Sequence, residues 1–326
     1  MNLSPADQPR FSVILPTHDR REMLREAAES VARQSITDWE LIVVDDASKD
    51  PIREEELWDW AGANARVIQL APSRGGAGAK SVGAEAAQGK LLAFLDDDDL
   101  WDPAYLERAN AVMEQFPDVR VLFMGVKWFG ERAPSGQKAQ DRGMEIIQAQ
   151  TRSRPDAMGV HHYGDELFPA LLERVPMPFQ RPVVRRDDYL AIGPYRAECL
   201  LWDCDWALRA ALFGKCALLE AGLYLQRAAG QGYSSLGRRA LEHARSNLEI
   251  KESLLQHPAV LGTGREQHVR QALHRDWKSY AWQLRNQGEV GEAIAALRQA
   301  ARYGVSLELA RMLVGVSLAS LRGGEK

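Results

Sequence analysis

Four short apolar runs in the first hundred residues constrain the fold most strongly. The runs are FSVIL, ELIVV, RVIQL and LLAFL, which begin at residues 11, 40, 66 and 91. In each run apolar residues are adjacent rather than alternating with polar ones, as in strands that are buried on both faces, and helical patterns separate the runs. The sequence therefore predicts an α/β fold with a mostly parallel sheet flanked by helices. In such sheets ligands bind beyond the carboxyl ends of the strands.

The chain beyond the fourth run is less regular and then becomes helical. VRVLFMGVKWF and RPVVRR predict further strands, and DWALRAALFG predicts a helix that ends at Gly214. The polar stretch 131–165 predicts a mobile loop. From about residue 236 onward the periodicity is helical, and 277–303 loosely resembles one tetratricopeptide-type helix pair. Because one such pair cannot bury its faces alone, we expect a C-terminal helical bundle.

Composition excludes some classes of protein. The chain has 326 residues and a net charge of −4, which argues against a general nucleic-acid-binding protein. Its three cysteines lack metal-ligand spacing and fit a reducing compartment. Neither a signal peptide nor an apolar run long enough to span a bilayer is evident. We expect a cytoplasmic protein, with peripheral contact at the inner face of the membrane left open.

Carboxylates follow two of the predicted strands. Asp45 and Asp46 follow the second, and the four aspartates of DDDD, residues 96–99, follow the fourth. Such side chains converge at one edge of a parallel sheet, where Mg²⁺ or Mn²⁺ prefers oxygen ligands. Strand stops and helix caps are the alternative, but two aspartates would suffice for them. We expect a metal site, with the cation offsetting the repulsion between the carboxylates.

A second phosphate chemistry, that of haloacid-dehalogenase-type phosphohydrolases, also places a DxD motif after a strand. In those enzymes the motif follows the first strand of the sheet. Here the first strand ends in PTHDR and the acidic run follows the fourth. The order of motifs therefore argues against this class.

The order of motifs resembles that of the family 2 glycosyltransferases, which are inverting enzymes of the GT-A fold. The matching segments are FSVILPTHDR, SVARQSITDWELIVVDDASKD, SRGGAGAKSVGAEAAQGKLLAFLDDDDLWDP and WDCDWALRAALFG. The resemblance implies a GT-A-type Rossmann-like sheet with a C-terminal helical extension. It further implies a nucleotide-sugar-binding half over 1–115, an acceptor-binding half over 116–235 and a helical region over 236–326.

The resemblance also implies roles for single residues. Asp203 would be the general base, with a helix N-cap as its alternative role. Asp98, with Asp96, would hold Mn²⁺ or Mg²⁺. The nucleotide sugar would be contacted by Pro16, Thr17, Asp19, Asp45, Asp46, Arg74, Lys80, Asp96 and Asp97. The acceptor would be contacted by Trp101, Trp202, Asp205 and Gln231, although Trp101 also suits a core position.

Some positions depart from the family pattern. Ala47 replaces the commoner Gly in the turn after the second strand, and Trp202 replaces the Glu that precedes the base. The Trp202 departure removes one acid from the acceptor side. His161 and His162 are adjacent in a polar region, where surface positions are the expectation.

These features predict a metal-dependent inverting transferase that moves a sugar from a nucleotide diphosphate to a hydroxyl group. UDP-sugars are the favoured donors, with dTDP- and GDP-sugars as further options. The acceptor would be a glycan, with surface-polysaccharide synthesis as the setting. The alternative is a non-catalytic sugar-nucleotide-binding or scaffold protein that uses its helical tail for interactions. A homodimer is left open.

Overall fold

The computed structural model describes residues 8–228 and 239–323, with side chains described to residue 315. The chain divides into two compact units. The first contains residues 1–198 and 202–232, and the second contains residues 199–201 and 233–326. The predicted division of the first unit at residue 115 stays a prediction.

The first unit alternates strands and helices in its amino-terminal part. Its strands are β1 (Phe11–Thr17), β2 (Trp39–Asp45), β3 (Ala65–Gln69), β4 (Leu91–Phe94), β5 (Leu100–Trp101), β6 (Val121–Phe129), β7 (Val160–Tyr163), β8 (Pro182–Arg185) and β9 (Cys216–Arg227). Its helices are α1 (Arg21–Ala32), α2 (Glu54–Ala61), α3 (Gly75–Ala86), α4 (Tyr105–Gln115), α5 (Ala133–Thr151), α6 (Leu167–Glu173), α7 (Arg186–Ile192) and α8 (Trp202–Phe213), with a 3₁₀ turn at Met177–Gln180.

The strands of the described residues form one mixed sheet in the order β3-β2-β1-β4-β8-β6-β9-β5, with β7 paired to β9. Strands β3, β2, β1 and β4 are parallel neighbours, as the four continuous apolar runs predict. Strand β8 is antiparallel to both β4 and β6, and β6 is parallel to β9. The predicted α/β class with a mostly parallel central sheet is confirmed.

Burial of the first strands explains why the apolar runs are continuous. Val13, Ile14 and Leu15 are fully buried although successive side chains point to opposite faces of the sheet, so helices must cover both faces. On one side α1 contributes Leu24 and Val31 to the core. The continuous apolar pattern of these strands therefore indicates a sheet that helices cover on both faces.

The predicted loop over 131–165 is wrong for most of its length. Residues Ala133–Thr151 form the helix α5, and Val160–Tyr163 form β7. Only Gly143 and Ile147 are buried in α5, so its apolar periodicity is too sparse to detect in the sequence. Gly143 allows a close approach, because a β-carbon there would lie 3.1 Å from Pro176.

The second unit is helical in its described residues, with α9 (Ala240–Leu254), α10 (Gly264–Asn286), α11 (Val290–Tyr303) and α12 (Leu307–Gly323). Inside it the buried Lys251 forms an ion pair with Asp276, which also accepts a hydrogen bond from Asn247 at 2.9 Å. Gly288, with φ of 89°, separates α10 from α11. Over 8–228 and 239–323, none of the helices combines the length and the apolar character that crossing a bilayer requires.

Candidate functional site

The candidate site lies at the carboxyl ends of the parallel strands β1, β2 and β4. Thr17 and Asp45 are register partners at the ends of β1 and β2, and the DDDD run begins two residues after β4. The hydroxyl of Thr17 donates a hydrogen bond to Asp97 at 2.9 Å. The topology thus brings together the acidic residues that follow separate strands.

The first aspartate of the run is held by two buried cations. Asp96 lies 2.5 Å from the ammonium of Lys80, which projects from α3, and 3.2 Å from the guanidinium of Arg181. Burial acts to raise the pKa of Asp96, but the charges of Lys80 and Arg181 outweigh it and hold the pKa at about 2. Asp96 is therefore a carboxylate at neutral pH.

The next two aspartates share the guanidinium of Arg20. Its Nη1 donates to Asp97 and to Asp98, each at 3.1 Å. Burial raises the pKa of Asp97 to about 6 against the charge of Arg20. Burial and the neighbouring charge of Asp96 also raise the pKa of Asp98. A quarter of the Asp98 side chain is exposed, whereas Asp97 is buried.

The last aspartate of the run, Asp99, is hydrogen-bonded to residues of β9. Asp99 is fully buried and accepts hydrogen bonds from the Tyr224 hydroxyl at 2.9 Å, the Gln226 amide at 3.1 Å and the Arg227 backbone N–H at 2.8 Å. Burial raises the pKa of Asp99 to about 8, opposed by Arg181 at 3.6 Å. Asp99 thus has a structural role.

Asp45 and Asp46 bind backbone groups in the turn after β2. Asp45 accepts hydrogen bonds from the N–H groups of Ser48 and Ile52, both at 2.9 Å. Asp46 accepts from the N–H groups of Arg74 at 2.6 Å and Gly75 at 2.8 Å. It thereby satisfies donors at the start of α3, a position where helices favour negative charge.

A small cleft of about 190 Å³ lies beside this turn. Thr17, Asp19, Arg20 and Lys49 contribute to its lining. Asp19, with φ of 53°, accepts a hydrogen bond from the N–H of Lys49 at 2.8 Å. That hydrogen bond lowers the pKa of Asp19 against the opposing effect of burial. The cleft combines acceptors and cations, as a polar phosphate-bearing ligand requires.

Helix α8 presents Asp203 in its first turn. Asp203 is half-buried and accepts the N–H of Cys204 at 2.8 Å, and burial raises its pKa. The charges of Arg181, Lys80 and Asp96 act on its carboxyl group, so it belongs to the same cluster. The assignment of Asp203 as the base and its helix N-cap alternative both stay predictions.

Neighbours of Asp203 differ in their surroundings. The half-buried indole ring of Trp202 lies 4.6 Å from the Lys80 ammonium and edge-on to Tyr195. Asp205 is fully buried, pairs with Arg196 and lies 2.9 Å from Arg209. This geometry favours a positioning role for Asp205, and its predicted acceptor contact stays a prediction.

The remaining predicted residues are placed as follows. Pro16 is half-buried near the end of β1, and Arg74 is exposed directly before α3. Trp101 is buried and stacks on Tyr105 at 4.0 Å, which supports its alternative role in the core. Gln231 lies outside the described residues. The nucleotide-sugar, metal and base assignments remain predictions.

Sequence reasoning missed Arg20 and Arg181. Arg181 is 6% exposed, stacks on Tyr224 at 4.6 Å and donates to Gln226 at 2.6 Å. Arg181 follows a proline-rich segment that shows no periodicity, so the sequence does not indicate the direction of its side chain. The only available signal was charge, because a run of four adjacent carboxylates, two of them buried, needs nearby cations.

The carboxylates of the site provide only some of the oxygen ligands that a hard divalent cation requires. Asp98 offers carboxylate oxygen at a partly exposed position, whereas both oxygens of Asp96 face cations. Among the described residues, no three His, Cys, Asp or Glu side chains are grouped to hold a metal ion. The residues therefore fit a cation that takes one protein carboxylate and draws its other oxygen ligands from a diphosphate and water.

The sequence and the fold agree on the class of protein. Residues 12–164 match the sequence profile of glycosyl transferase family 2. The sheet and the flanking helices have the GT-A fold. Residues 12–164, just under half of the chain, form the part that belongs to glycosyltransferase family 2.

Similar curated proteins match the amino-terminal part of the chain. A putative teichuronic acid biosynthesis glycosyltransferase, TuaG of Bacillus subtilis, is 36% identical over 102 residues, which cover 31% of this chain and 40% of TuaG. The Escherichia coli UDP-Glc:α-D-GlcNAc-diphosphoundecaprenol β-1,3-glucosyltransferase WfgD is 31% identical over 107 residues, which cover 33% of this chain and 42% of WfgD. The matches thus span about two fifths of each relative's length.

Solved structures match nearly the whole chain at low identity. Residues 1–349 of TarS from S. aureus, in complex with UDP-GlcNAc, align over 96% of this chain and 92% of that one, with a TM-score of 0.65 and 17% identity. The mannosyltransferase PcManGT from Pyrobaculum calidifontis, in complex with GDP-Man and Mn²⁺, aligns over 96% and 81%, with a TM-score of 0.59 and 18% identity. At these identities the likeness establishes the fold alone.

Proposed function

We propose that this protein is an inverting glycosyltransferase that transfers a sugar from a UDP-sugar to a hydroxyl group of a glycan. The observation that carries the proposal is the position of Asp203. Its half-buried carboxyl group stands in the first turn of α8, within the electrostatic reach of Asp96, Lys80 and Arg181. A general base and a diphosphate-binding cluster are thus combined at one edge of the sheet.

The donor nucleotide is proposed to bind at the turn after β2 and at the start of α3. Arg20 and Lys49 line the small cleft there, and Arg74 is exposed at the N-terminus of α3, a position that favours phosphate oxygens. UDP is favoured as the nucleotide because WfgD is named for UDP-Glc and TarS is in complex with UDP-GlcNAc. The GDP-Man complex of PcManGT keeps a GDP-sugar as the second option.

Asp98 is proposed to hold Mn²⁺ or Mg²⁺ through its carboxylate. A bound cation would act as a Lewis acid that stabilises the charge of the departing diphosphate. Arg20 keeps the Asp98 carboxylate oriented, since it donates to Asp97 and Asp98 from one nitrogen. The PcManGT complex contains Mn²⁺, which supports the choice of metal.

Transfer is proposed to run as a single displacement. Asp203 accepts the proton of the acceptor hydroxyl, and the hydroxyl oxygen attacks the anomeric carbon opposite the leaving group. The new glycosidic bond forms as the bond to the diphosphate breaks, so the configuration inverts. The raised pKa of Asp203 strengthens it as a base relative to an ordinary carboxylate. The names of TuaG and WfgD support surface-polysaccharide synthesis as the setting.

A thermal-shift comparison tests the proposal. We expect UDP with Mn²⁺ to raise the unfolding midpoint more than UDP alone, and more than UMP with Mn²⁺. A ligand at one hundred times its dissociation constant stabilises the protein by about 2.7 kcal/mol. Equal midpoints with UDP, GDP, dTDP and no nucleotide would overturn the proposal and leave only the scaffold form of the non-catalytic alternative.

A further inference from the structure

A second groove lies in the first unit, away from the acidic run. It has a volume of about 480 Å³ and is bounded by α5, β6 and the middle of β9. Gln140 of α5 ties the helix to the sheet, because it accepts a hydrogen bond from the Trp128 indole at 2.8 Å and donates to the Val126 carbonyl at 2.9 Å. The groove is therefore formed before any ligand binds, and its volume lies in the range of ligand pockets.

A β-bulge forms one wall of this groove. Met124 pairs with Leu219 and Val126 with Tyr224, so residues 220–223 of β9 all lie opposite Gly125. A β-carbon on Gly125 would lie 2.3 Å from the Glu220 carbonyl oxygen, so the bulge requires glycine there. Bulges redirect side chains and are frequent beside functional sites. This one presents the exposed Glu220 to the groove.

A buried histidine faces the same wall. His161 is 1% exposed, so its expected surface position is wrong. In β7 it is followed by the exposed His162, and successive residues of a strand point to opposite faces of the sheet. Within the described part of the chain, Nε2 of His161 has no hydrogen-bond partner and lies 3.7 Å from Glu220. Because a buried polar atom without a partner is costly, this nitrogen marks a position for a ligand group.

The lining combines acidic and apolar groups. Asp141, Glu145 and Glu220 contribute three carboxylates against the single ammonium of Lys127. Met144, Pro178 and Leu218 provide the apolar part of the surface. Carboxylates bind cationic amines, polar groups bind hydroxyls, and apolar side chains cover the C–H faces of a sugar ring. The lining therefore favours a ligand that carries both amine and hydroxyl groups.

Strand β9 connects the groove to the acidic run, because it lines the groove at Glu220 and hydrogen-bonds Asp99 near its end. From Glu220 to Arg227 the chain advances seven residues, so the groove lies at most about 25 Å along β9 from the residue that bonds Asp99. Four residues after Glu220, Tyr224 donates its own hydrogen bond to Asp99. An extended ligand could therefore occupy the groove and approach the candidate active site.

We propose that this groove binds an amine-bearing sugar unit of the acceptor glycan, at a distance from the reacting hydroxyl. Glu145 and Glu220 pair with the ammonium group, and Nε2 of His161 bonds a hydroxyl after the exposed Glu220 side chain turns aside. The assignment to an acceptor rests on the proposed glycosyl transfer. The preference for an amine rests on the groove's charge alone.

The test is a calorimetric titration of the full chain with the glucosamine trimer, at a pH at which its amines are protonated. The N-acetylated trimer and spermidine are the comparison probes, the first without the charge and the second without the sugar rings. We expect saturable binding of the glucosamine trimer that is tighter than that of either comparison. No binding of the trimer, or equal or tighter binding of spermidine or of the acetylated trimer, would overturn the proposal.

Two variants locate the site. The double variant E145Q/E220Q removes two carboxylates at nearly constant shape and should weaken trimer binding about tenfold, as expected for two partly exposed ion pairs. E131Q, which removes an exposed carboxylate outside the groove lining, is the matched control and should bind normally. H161F retains an aromatic ring but removes the nitrogens, and H162F on the opposite face is its control. Unchanged binding in E145Q/E220Q would place the ligand elsewhere.

UDP titrations of the same samples separate this inference from the proposed function. UDP binding without trimer binding would overturn only the groove assignment. Trimer binding without UDP binding would retain the groove and overturn the nucleotide-sugar donor.

Discussion

The carboxylate of Asp96 lies 2.5 Å from the buried ammonium of Lys80. This contact changes the expected electrostatics of the DDDD run, because the sequence suggested that a divalent cation would offset the repulsion. In the structure, basic side chains provide compensating charge at each step of the run, from Lys80, Arg181 and Arg20. The proposed metal ion would then be available to bind the diphosphate of the proposed donor.

We predict that Lys80→Met destabilises the first unit and weakens nucleotide binding. Removing one partner of a buried ion pair costs about 3–5 kcal/mol because the other charge stays buried. A loss of about 3 kcal/mol should lower the unfolding midpoint of a unit of this size by roughly 6–12 °C. Differential scanning calorimetry measures the shift.

The matched control is Lys90→Met, which removes an exposed ammonium from the residue directly before β4. Its effect should stay within about 0.5 kcal/mol. Equal midpoints for both variants would show that the Lys80–Asp96 contact contributes nothing to the fold.

In the turn after β2, one substitution should stabilise the protein rather than destabilise it. Ala47 adopts φ of 63°, the left-handed region, between Asp45 and Ser48, which are joined by a hydrogen bond. A side chain there costs about 1–2 kcal/mol, and glycine gives back roughly 0.5–1 kcal/mol through its greater freedom in the unfolded chain. Ala47→Gly should therefore stabilise the protein by up to about 1 kcal/mol.

A second substitution of the same type checks that mechanism. Ala149→Gly changes an exposed residue inside α5 and should destabilise by about 1 kcal/mol. Denaturation midpoints that moved in the same direction for both variants would contradict the argument from φ.

The sequence predicted the parts of the fold that repeat a simple pattern. The strands β1, β2 and β4 were located because burial on both faces makes them largely apolar, and β3, which is only partly buried, was located by its apolar Val67 and Ile68. The shared carboxyl edge of the four strands followed from parallel topology. Helix α5 was missed because only two of its residues are buried. His161 was misjudged because the polar residues around it concealed the alternation of β7.

The acidic residues of the candidate site were predictable from the sequence, but its basic residues were not. The aspartates stand directly after strands, so their positions follow from chain order. Arg181 contacts Asp96 and Asp99 in the structure, although more than 80 positions of the sequence separate it from them. No local pattern encodes such a contact. It depends on β8 entering the sheet antiparallel between β4 and β6.

The metal assignment predicts a specific loss in Asp98→Asn. We expect UDP to bind this variant equally with and without Mn²⁺, because an amide oxygen without charge is a poorer ligand for a hard cation. UDP affinity in the absence of metal should match the unsubstituted protein. Calorimetric titrations in EDTA and in Mn²⁺ measure both values.

Asp118→Asn is a suitable control for that experiment, since Asp118 is an exposed carboxylate that pairs with Lys215 at 2.7 Å. It should retain the full effect of Mn²⁺. Retention of that effect in Asp98→Asn would transfer the ligand role to another residue of the run.

The base assignment predicts a pH dependence of transfer. Burial raises the pKa of Asp203 from its ordinary value of 3.8, and a general base is active only when deprotonated. As pH falls through the raised pKa, kcat/KM should decline, and this decline should begin at a higher pH than for an ordinary aspartate. Release of UDP from a UDP-sugar in the presence of acceptor provides the assay.

Asp203→Asn should reduce kcat by about 10²–10⁴-fold, remove the acidic limb of the pH profile and leave UDP binding unchanged. Asp187→Asn is the matched control, because Asp187 is an exposed acid in the first turn of α7. It should retain both rate and profile. An acidic limb that persisted in Asp203→Asn would assign the titrating base to another group. Its loss together with the rate would assign proton removal to the half-buried carboxylate beside Lys80 and Arg181.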